Sequence, residues 1–187
     1  MKVAIAGDLG RREFVIRNSS FAIRKSLVER AGADFLTLCT NTMHRVAPEI
    51  AARIRIPLLH IVDPTARALQ MAGCRTVGLL GTRFTMEQDF YRGRLEASGL
   101  RVVVPPRADR DVVHRVIYEE LCLGDIQDAS RAEYRHIITE LVAAGAGGVI
   151  LGCTEIGLLI NQANTKMPLY DTARIHAERA LAWVLGD

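Results

Sequence analysis

The chain has 187 residues, 49% hydrophobic and 24% charged, with a formal net charge of +3. Such a chain is ordinary in composition and long enough to bury a core without metal or disulfide staples. A mild charge with no basic run interleaved with aromatics argues against a nucleic-acid footprint, and the longest uncharged stretch, Leu141 to Thr154, is glycine-rich and too short for a membrane span.

In chain order, Val3 to Ala6 is a candidate short strand, followed by a Gly7-Asp8-Leu9-Gly10 turn. Asp8, Arg11, Arg12 and Glu13 interrupt the only apolar stretch at the N-terminus, so no secretory leader is expected and the expected location is the cytoplasm. In that reducing compartment Cys39, Cys74, Cys122 and Cys153, which form no CxxC pair, are expected as free thiols. Phe14 to Arg30 has helical spacing and ends at Ala31-Gly32, Phe35 to Leu38 reads as a strand, and Thr42 to Arg53 as a helix. A strand at Pro57 to Ile61 precedes a helix opening near Asp63-Pro64, where the acid is expected to cap the free amides and the proline suits the first turn. Thr76 to Leu80 is then a strand, Thr85 to Ser98 a helix, Leu100 to Val104 a strand, Asp109 to Leu121 and Ser130 to Ala144 helices, and Gly148 to Leu151 a buried strand. Short apolar strands joined by helices predict an α/β fold with parallel sheets flanked by helices on both faces.

The chain also repeats itself. Ala31-Gly32-Ala33-Asp34-Phe35-Leu36-Thr37-Leu38-Cys39-Thr40 aligns without gaps on Ala144-Gly145-Ala146-Gly147-Gly148-Val149-Ile150-Leu151-Gly152-Cys153. Each copy continues into a helix, a Pro-Leu strand (Pro57-Leu58, Pro168-Leu169) and a second helix opening on Asp63-Pro64-Thr65-Ala66-Arg67 or Asp171-Thr172-Ala173-Arg174. A duplication is the economical reading. It predicts two pseudo-symmetric domains with an interdomain cleft, a first over residues 1–70 completed by a helix over 172–187 and a second over 71–171. The first copy has fewer residues ahead of its repeat than the second, so the first domain is expected to be N-terminally short by about one βα or βαβ unit.

The repeat places Cys39-Thr40-Asn41-Thr42 and Gly152-Cys153-Thr154-Glu155 at the C-terminal ends of parallel strands, where open α/β sheets bind ligands. Each segment opens a helix, whose free amides are expected to lower a thiol pKa and, with Thr42, Thr154 and Asn41, to hold a carboxylate. Thr82, at the end of the Gly78-Leu79-Leu80-Gly81 strand, is a further substrate-binding candidate. Cys39 is an accessory candidate, as are Glu155 and His176 for orienting the thiol and His44, one helical turn beyond Thr40, for reaching the cleft. Cys74 and Cys122 read as structural. The histidines lack metal-ligand spacing, no glycine turn carries a phosphate-binding Lys, and Lys166 has no pyridoxal phosphate partner motif, so neither metal nor cofactor is expected.

These segments resemble the aspartate/glutamate racemase family, which includes hydantoin racemases and related decarboxylases and isomerases. The resemblance rests on Cys39-Thr40-Asn41-Thr42-Met43-His44, on Gly78-Leu79-Leu80-Gly81-Thr82 with Thr85-Met86-Glu87-Gln88-Asp89-Phe90-Tyr91, and on Gly152-Cys153-Thr154-Glu155. It implies two similar α/β domains with the active site between them and cofactor-independent chemistry, one cysteine per domain removing and returning the α-proton on opposite faces. Two departures stand out. Thr40, not Cys39, aligns with Cys153, so the resemblance is to members with Thr in place of the first catalytic cysteine, and Cys39 is expected to point away from the cleft because strand side chains alternate. Nothing from Met1 to Gly10 matches the family's Gly-Gly-Met loop.

The expected function is racemisation of aspartate or glutamate, with Cys153 as thiol acid/base and Thr40 on the opposite face. The alternatives are a single-thiol decarboxylase or isomerase and an inactive carboxylate-binding remnant. The expected partners are a small amino-acid or dicarboxylic acid substrate and a second copy of the chain, since an uncovered sheet edge invites pairing.

Overall fold

The computed structural model describes residues 3–6, as backbone, and 27–186. The Gly7 to Gly10 turn lies outside them, as does the expected Phe14 to Arg30 helix apart from a last turn over 27–30.

Two parallel sheets form the frame. The first has the order β1 (Val3–Ala6), β2 (Phe35–Leu38), β3 (Leu58–Leu59). The second holds β4 (Thr76–Gly81), β5 (Arg101–Val103), β6 (Val149–Gly152) and β7 (Leu169–Asp171) in the order β5-β4-β6-β7. The two copies of the repeat are thus equivalent: β2 lies between β1 and β3 as β6 lies between β4 and β7. Strand β5 has no counterpart among the described residues of the first sheet.

Strand alternation sorts β2 onto two surfaces. Leu36 and Leu38 enter a small core with Met43, Val46 and Ile50 from the following helical segment. Phe35 and Thr37 face the other way, toward the last helix, α8 (Thr172–Leu185), where Phe35 packs on Trp183 with ring centroids 5.9 Å apart. The larger core, on both faces of the second sheet, joins Val77, Leu79 and Leu80 of β4 and Val149, Ile150 and Leu151 of β6 to Tyr91, Leu95, Val113, Val116, Tyr134, Ile137 and Leu141. Most of these come from α4 (Asp89–Ala97), α5 (Arg107–Glu119) and α6 (Asp128–Ala143). Their recurrence every three or four residues along each helix is the stripe that burial requires.

Three local expectations change. Thr42 to Arg53 is not one α-helix: Thr42–Val46 is a 3-10 helix, and α1 (Ala47–Ala51) starts only where Pro48 can occupy a first turn that needs no N–H. Thr85 to Ser98 divides into α3 (Arg83–Glu87), capped by Thr82, and α4, because Gln88 is extended at φ −93°, ψ 150°. The helix after β3, α2 (Val62–Met71), is not capped by Asp63; it starts from Ile61, and the Asp63 carboxylate is taken instead by Arg94 of α4 in a two-pronged pair of 2.6 and 2.7 Å. The repeat partner Asp171 does cap α8, accepting from the Ala173 and Arg174 amides at 3.0 and 3.2 Å. Among the described residues no helix is long and apolar enough to cross a membrane.

Candidate active site

The ends of β4 and β6 are held together by glycine. A Cβ on Gly81 would lie 2.9 Å from the Gly152 carbonyl oxygen, and one on Gly152 would lie 2.8 Å from the Leu80 carbonyl oxygen. Side chains are excluded there, so the strands stay in register up to Thr82 and Cys153, the next residue of each.

Cys153 is a partly buried free thiol whose Sγ donates to Glu155 Oε2 at 2.9 Å, and Thr154 Oγ1 donates to the same oxygen at 2.7 Å. Burial pushes the thiol well above its ordinary pKa, and the Glu155 charge and its acceptance of the S–H push it further. The expected lowering by a helix N-terminus does not occur, because the helix there, α7 (Ile156–Leu159), spans four residues and has little dipole to offer, while a carboxylate sits against the sulfur. At rest Cys153 carries its proton.

The end of β2 reaches this region through side chains. Asn41, 3% exposed, donates from Nδ2 to Thr172 Oγ1 at 3.0 Å, and that hydroxyl donates to the Leu151 carbonyl of β6 at 2.8 Å. The Thr172 proton is spent on Leu151, so its oxygen must accept, which fixes the Asn41 amide orientation. Asn41 Oδ1 is then a buried acceptor with no partner among the described residues. Thr42 Oγ1 lies 3.2 Å from Thr82 Oγ1, itself 3.2 Å from Thr85 Oγ1 and accepting from the Thr85 amide at 3.4 Å. Asn41, Thr42 and Thr82 thus join the ends of β2, β4 and β6 in one polar seam.

The remaining candidates separate. Thr40 is partly buried at the end of β2, and its carbonyl accepts from His44 Nδ1 at 2.9 Å. His44 is 1% exposed and both its ring nitrogens are engaged by backbone, the second accepting from the Ile61 amide at 3.1 Å. It therefore offers no free nitrogen to a cleft. Cys39 is exposed and shares a cavity of about 220 Å³ with Thr37, Ile61, Thr154, Ala173, His176, Ala177 and Ala180, beneath α8. His176 is buried rather than exposed and donates from Nε2 to the Leu59 carbonyl at 2.8 Å. Cys74 donates to the Thr76 carbonyl at 3.1 Å, whereas Cys122 is exposed. Among the described residues no group of three or more His, Cys, Asp or Glu is arranged to hold a metal ion.

Sequence reasoning passed over Thr172, Thr85 and His60. For Thr172 a signal existed in the repeat, which sets it against Thr65; in the structure both donate to a backbone carbonyl, Thr65 to that of Ile61 at 3.0 Å.

Two parallel α/β halves whose repeated strand ends meet in a polar seam define a class, the duplicated α/β enzymes. The family model for Asp/Glu/Hydantoin racemase matches residues 17–180, and the chain belongs to that family of racemases. A crystal structure described as a candidate Asp/Glu racemase from Yersinia pestis is 48% identical, with a TM-score of 0.85, over 90% of this chain and 74% of that one. An aspartate racemase homologue from Pyrococcus horikoshii OT3 is 34% identical, with a TM-score of 0.80, over 89% of this chain and 74% of that one. The broad specificity amino-acid racemase RacX of Bacillus subtilis (strain 168) is 22% identical over 166 residues, 85% of this chain and 68% of the relative.

Proposed function

We propose that the chain racemises aspartate or glutamate without a cofactor, Cys153 exchanging the α-proton on one face of the substrate and Thr40 serving the other. The observation that carries this reading is that the Cys153 thiol, hydrogen-bonded to Glu155, follows β6, the strand to which Asn41 is joined through Thr172 and Leu151, while Asn41 Oδ1 has no partner among the described residues. A buried acceptor with nothing to bind suits the ammonium group of an amino acid. The Thr42 and Thr82 hydroxyls are donors for a carboxylate, and Thr154, whose proton is held by Glu155 at rest, joins them once Glu155 is protonated.

The chemistry follows from charge. As substrate binds, Cys153 passes its proton to Glu155 Oε2, which already accepts the S–H at rest, and the ammonium group seated at Asn41 balances the charge of the thiolate that forms. The thiolate, basic because it is buried, takes the Cα proton; the electron pair moves into the carboxylate, where the threonine donors stabilise it. Return of a proton from Cys153 regenerates the starting enantiomer, and delivery from the Thr40 side, by hydroxyl or relayed water, inverts it; Cys153 then keeps the Cα proton, and the proton held by Glu155 leaves through solvent, which reprotonates the Thr40 side. A threonine hydroxyl is a far weaker acid than a thiol, so inversion is slower than exchange. The two halves divide as 1–70 with α8, and 71–171, and the chain works as a homodimer or larger.

Cα deuterium uptake from heavy water tests the assignment. Cys153→Ala is expected to slow it by about 10²-fold or more, and uptake at the parent rate would remove Cys153 from the mechanism. The alignment of Thr40, and not of a cysteine, with Cys153 favours a second reading, a decarboxylase, which needs to protonate just one face. Release of CO₂ from substituted malonates without exchange at aspartate or glutamate would select it.

A further inference from the structure

Three imidazoles meet behind Thr40. His44 and His60 lie edge to face with centroids 4.3 Å apart, and His176 is 6.0 Å from His44. Each holds backbone of the connection from β3 to α2: His176 Nε2–H donates to the Leu59 carbonyl at 2.8 Å, His44 Nε2 accepts from the Ile61 amide at 3.1 Å, and His60 Nδ1 accepts from the Val62 amide at 3.3 Å. Helix α2 has no side-chain cap from Ile61, so the His44 and His60 nitrogens satisfy amides at its start that would otherwise be orphaned.

His44 differs from the other two in reaching the site as well. An amide N–H cannot accept, so Nε2, which takes the Ile61 N–H, is unprotonated and the proton of the neutral ring sits on Nδ1. That forces Nδ1–H to donate to the Thr40 carbonyl at 2.9 Å. The tautomer is thus set by one backbone group and spent on another, and Thr40 is tied to a fixed point in the first half.

We infer that His44 is a positioning residue for the Thr40 face of the reaction, holding the Thr40 backbone, and with it the hydroxyl, at the distance that inversion needs. The inference rests on the proposed role of Thr40. The geometry allows the two bonds of His44 to be separated. A glutamine side chain has an acceptor near the Nε2 position and keeps the Ile61 bond but loses the one to Thr40; an asparagine has a donor near Nδ1 and does the reverse.

The measurement is the ratio of inversion to Cα exchange for pure L-aspartate and L-glutamate in heavy water. Loss of folded protein lowers both rates and leaves the ratio unchanged. His44→Gln is expected to lower the ratio about tenfold or more, because small misplacement of a reacting group is costly. His44→Asn is expected to keep the parent ratio, and Thr40→Val to lower it at least as far as His44→Gln. A parent ratio in His44→Gln, with a lowered one in Thr40→Val, overturns the role of His44 and leaves that of Thr40 standing. A parent ratio in Thr40→Val overturns both.

Discussion

At Cys153 two neighbours act in the same direction: burial and the Glu155 carboxylate both favour the protonated thiol. Alkylation by iodoacetamide, which reads thiolate, is therefore expected to have its pH midpoint above that of an ordinary cysteine. In Glu155→Gln the midpoint should fall, since a negative charge is removed, yet stay above the ordinary value because burial remains; a midpoint that stays put or rises would refute the account. Tyr91 presents the converse case. Its hydroxyl is fully buried with no hydrogen-bond partner among the described residues, and burial drives its pKa upward. Tyr91→Phe should raise stability by about 1 kcal/mol in urea unfolding, because the desolvated oxygen is removed and nothing is left unpaired. That Cys153 and Thr40 lie just past strand ends was legible because the repeat aligns them. The direction of the thiol shift was not, since it depends on packing that brings no signal to the local sequence.

Among the elements, the β3 to α2 connection carries an acid sensitivity. Burial holds His44 down to a pKa of about 4 and lowers His60 and His176 as well, with Arg94 adding to the effect at His44 and His60 and Asp63 opposing it at His44 and His176. The native state thus refuses protons that the unfolded chain accepts below about pH 6.5. Stability is full above that value and falls as pH drops toward 4, by about 1.4 kcal/mol per pH unit for each proton excluded. Urea midpoints that stay level from about pH 7 to pH 5 would contradict this. The β4 and β6 ends make a second point. Gly152→Ala should cost about 1–3 kcal/mol and slow Cα exchange, as its Cβ would push the strand ends apart next to Cys153. Strand and helix order was readable from periodicity and glycine, but the break at Gln88 was not: no proline or glycine marks it, and the capping of α3 by Thr82 competes with a continuous helix.

Over the whole molecule, the duplication explains why β1-β2-β3 and β4-β6-β7 share an order, and it was visible in sequence because both the strand and the Asp-Thr-Ala-Arg helix start recur. What joins the halves was hidden, because Asn41 and Thr172 stand 131 residues apart and neither belongs to a local pattern that predicts contact. Asn41→Ala and Thr172→Val should therefore be non-additive in unfolding free energy, with a coupling of about 0.5–3 kcal/mol; simple additivity would show that the bond bears no energy.

The same long-range contacts bear on how the protein is made. Helix α8 covers the Phe35 and Thr37 face of β2, and His176 within it holds Leu59 from 117 positions away. On a ribosome, β2 and β3 emerge long before the helix that shields them. The first half must wait with one apolar face open to water while the second is synthesised, and a nascent chain paused there would be a natural client for a chaperone.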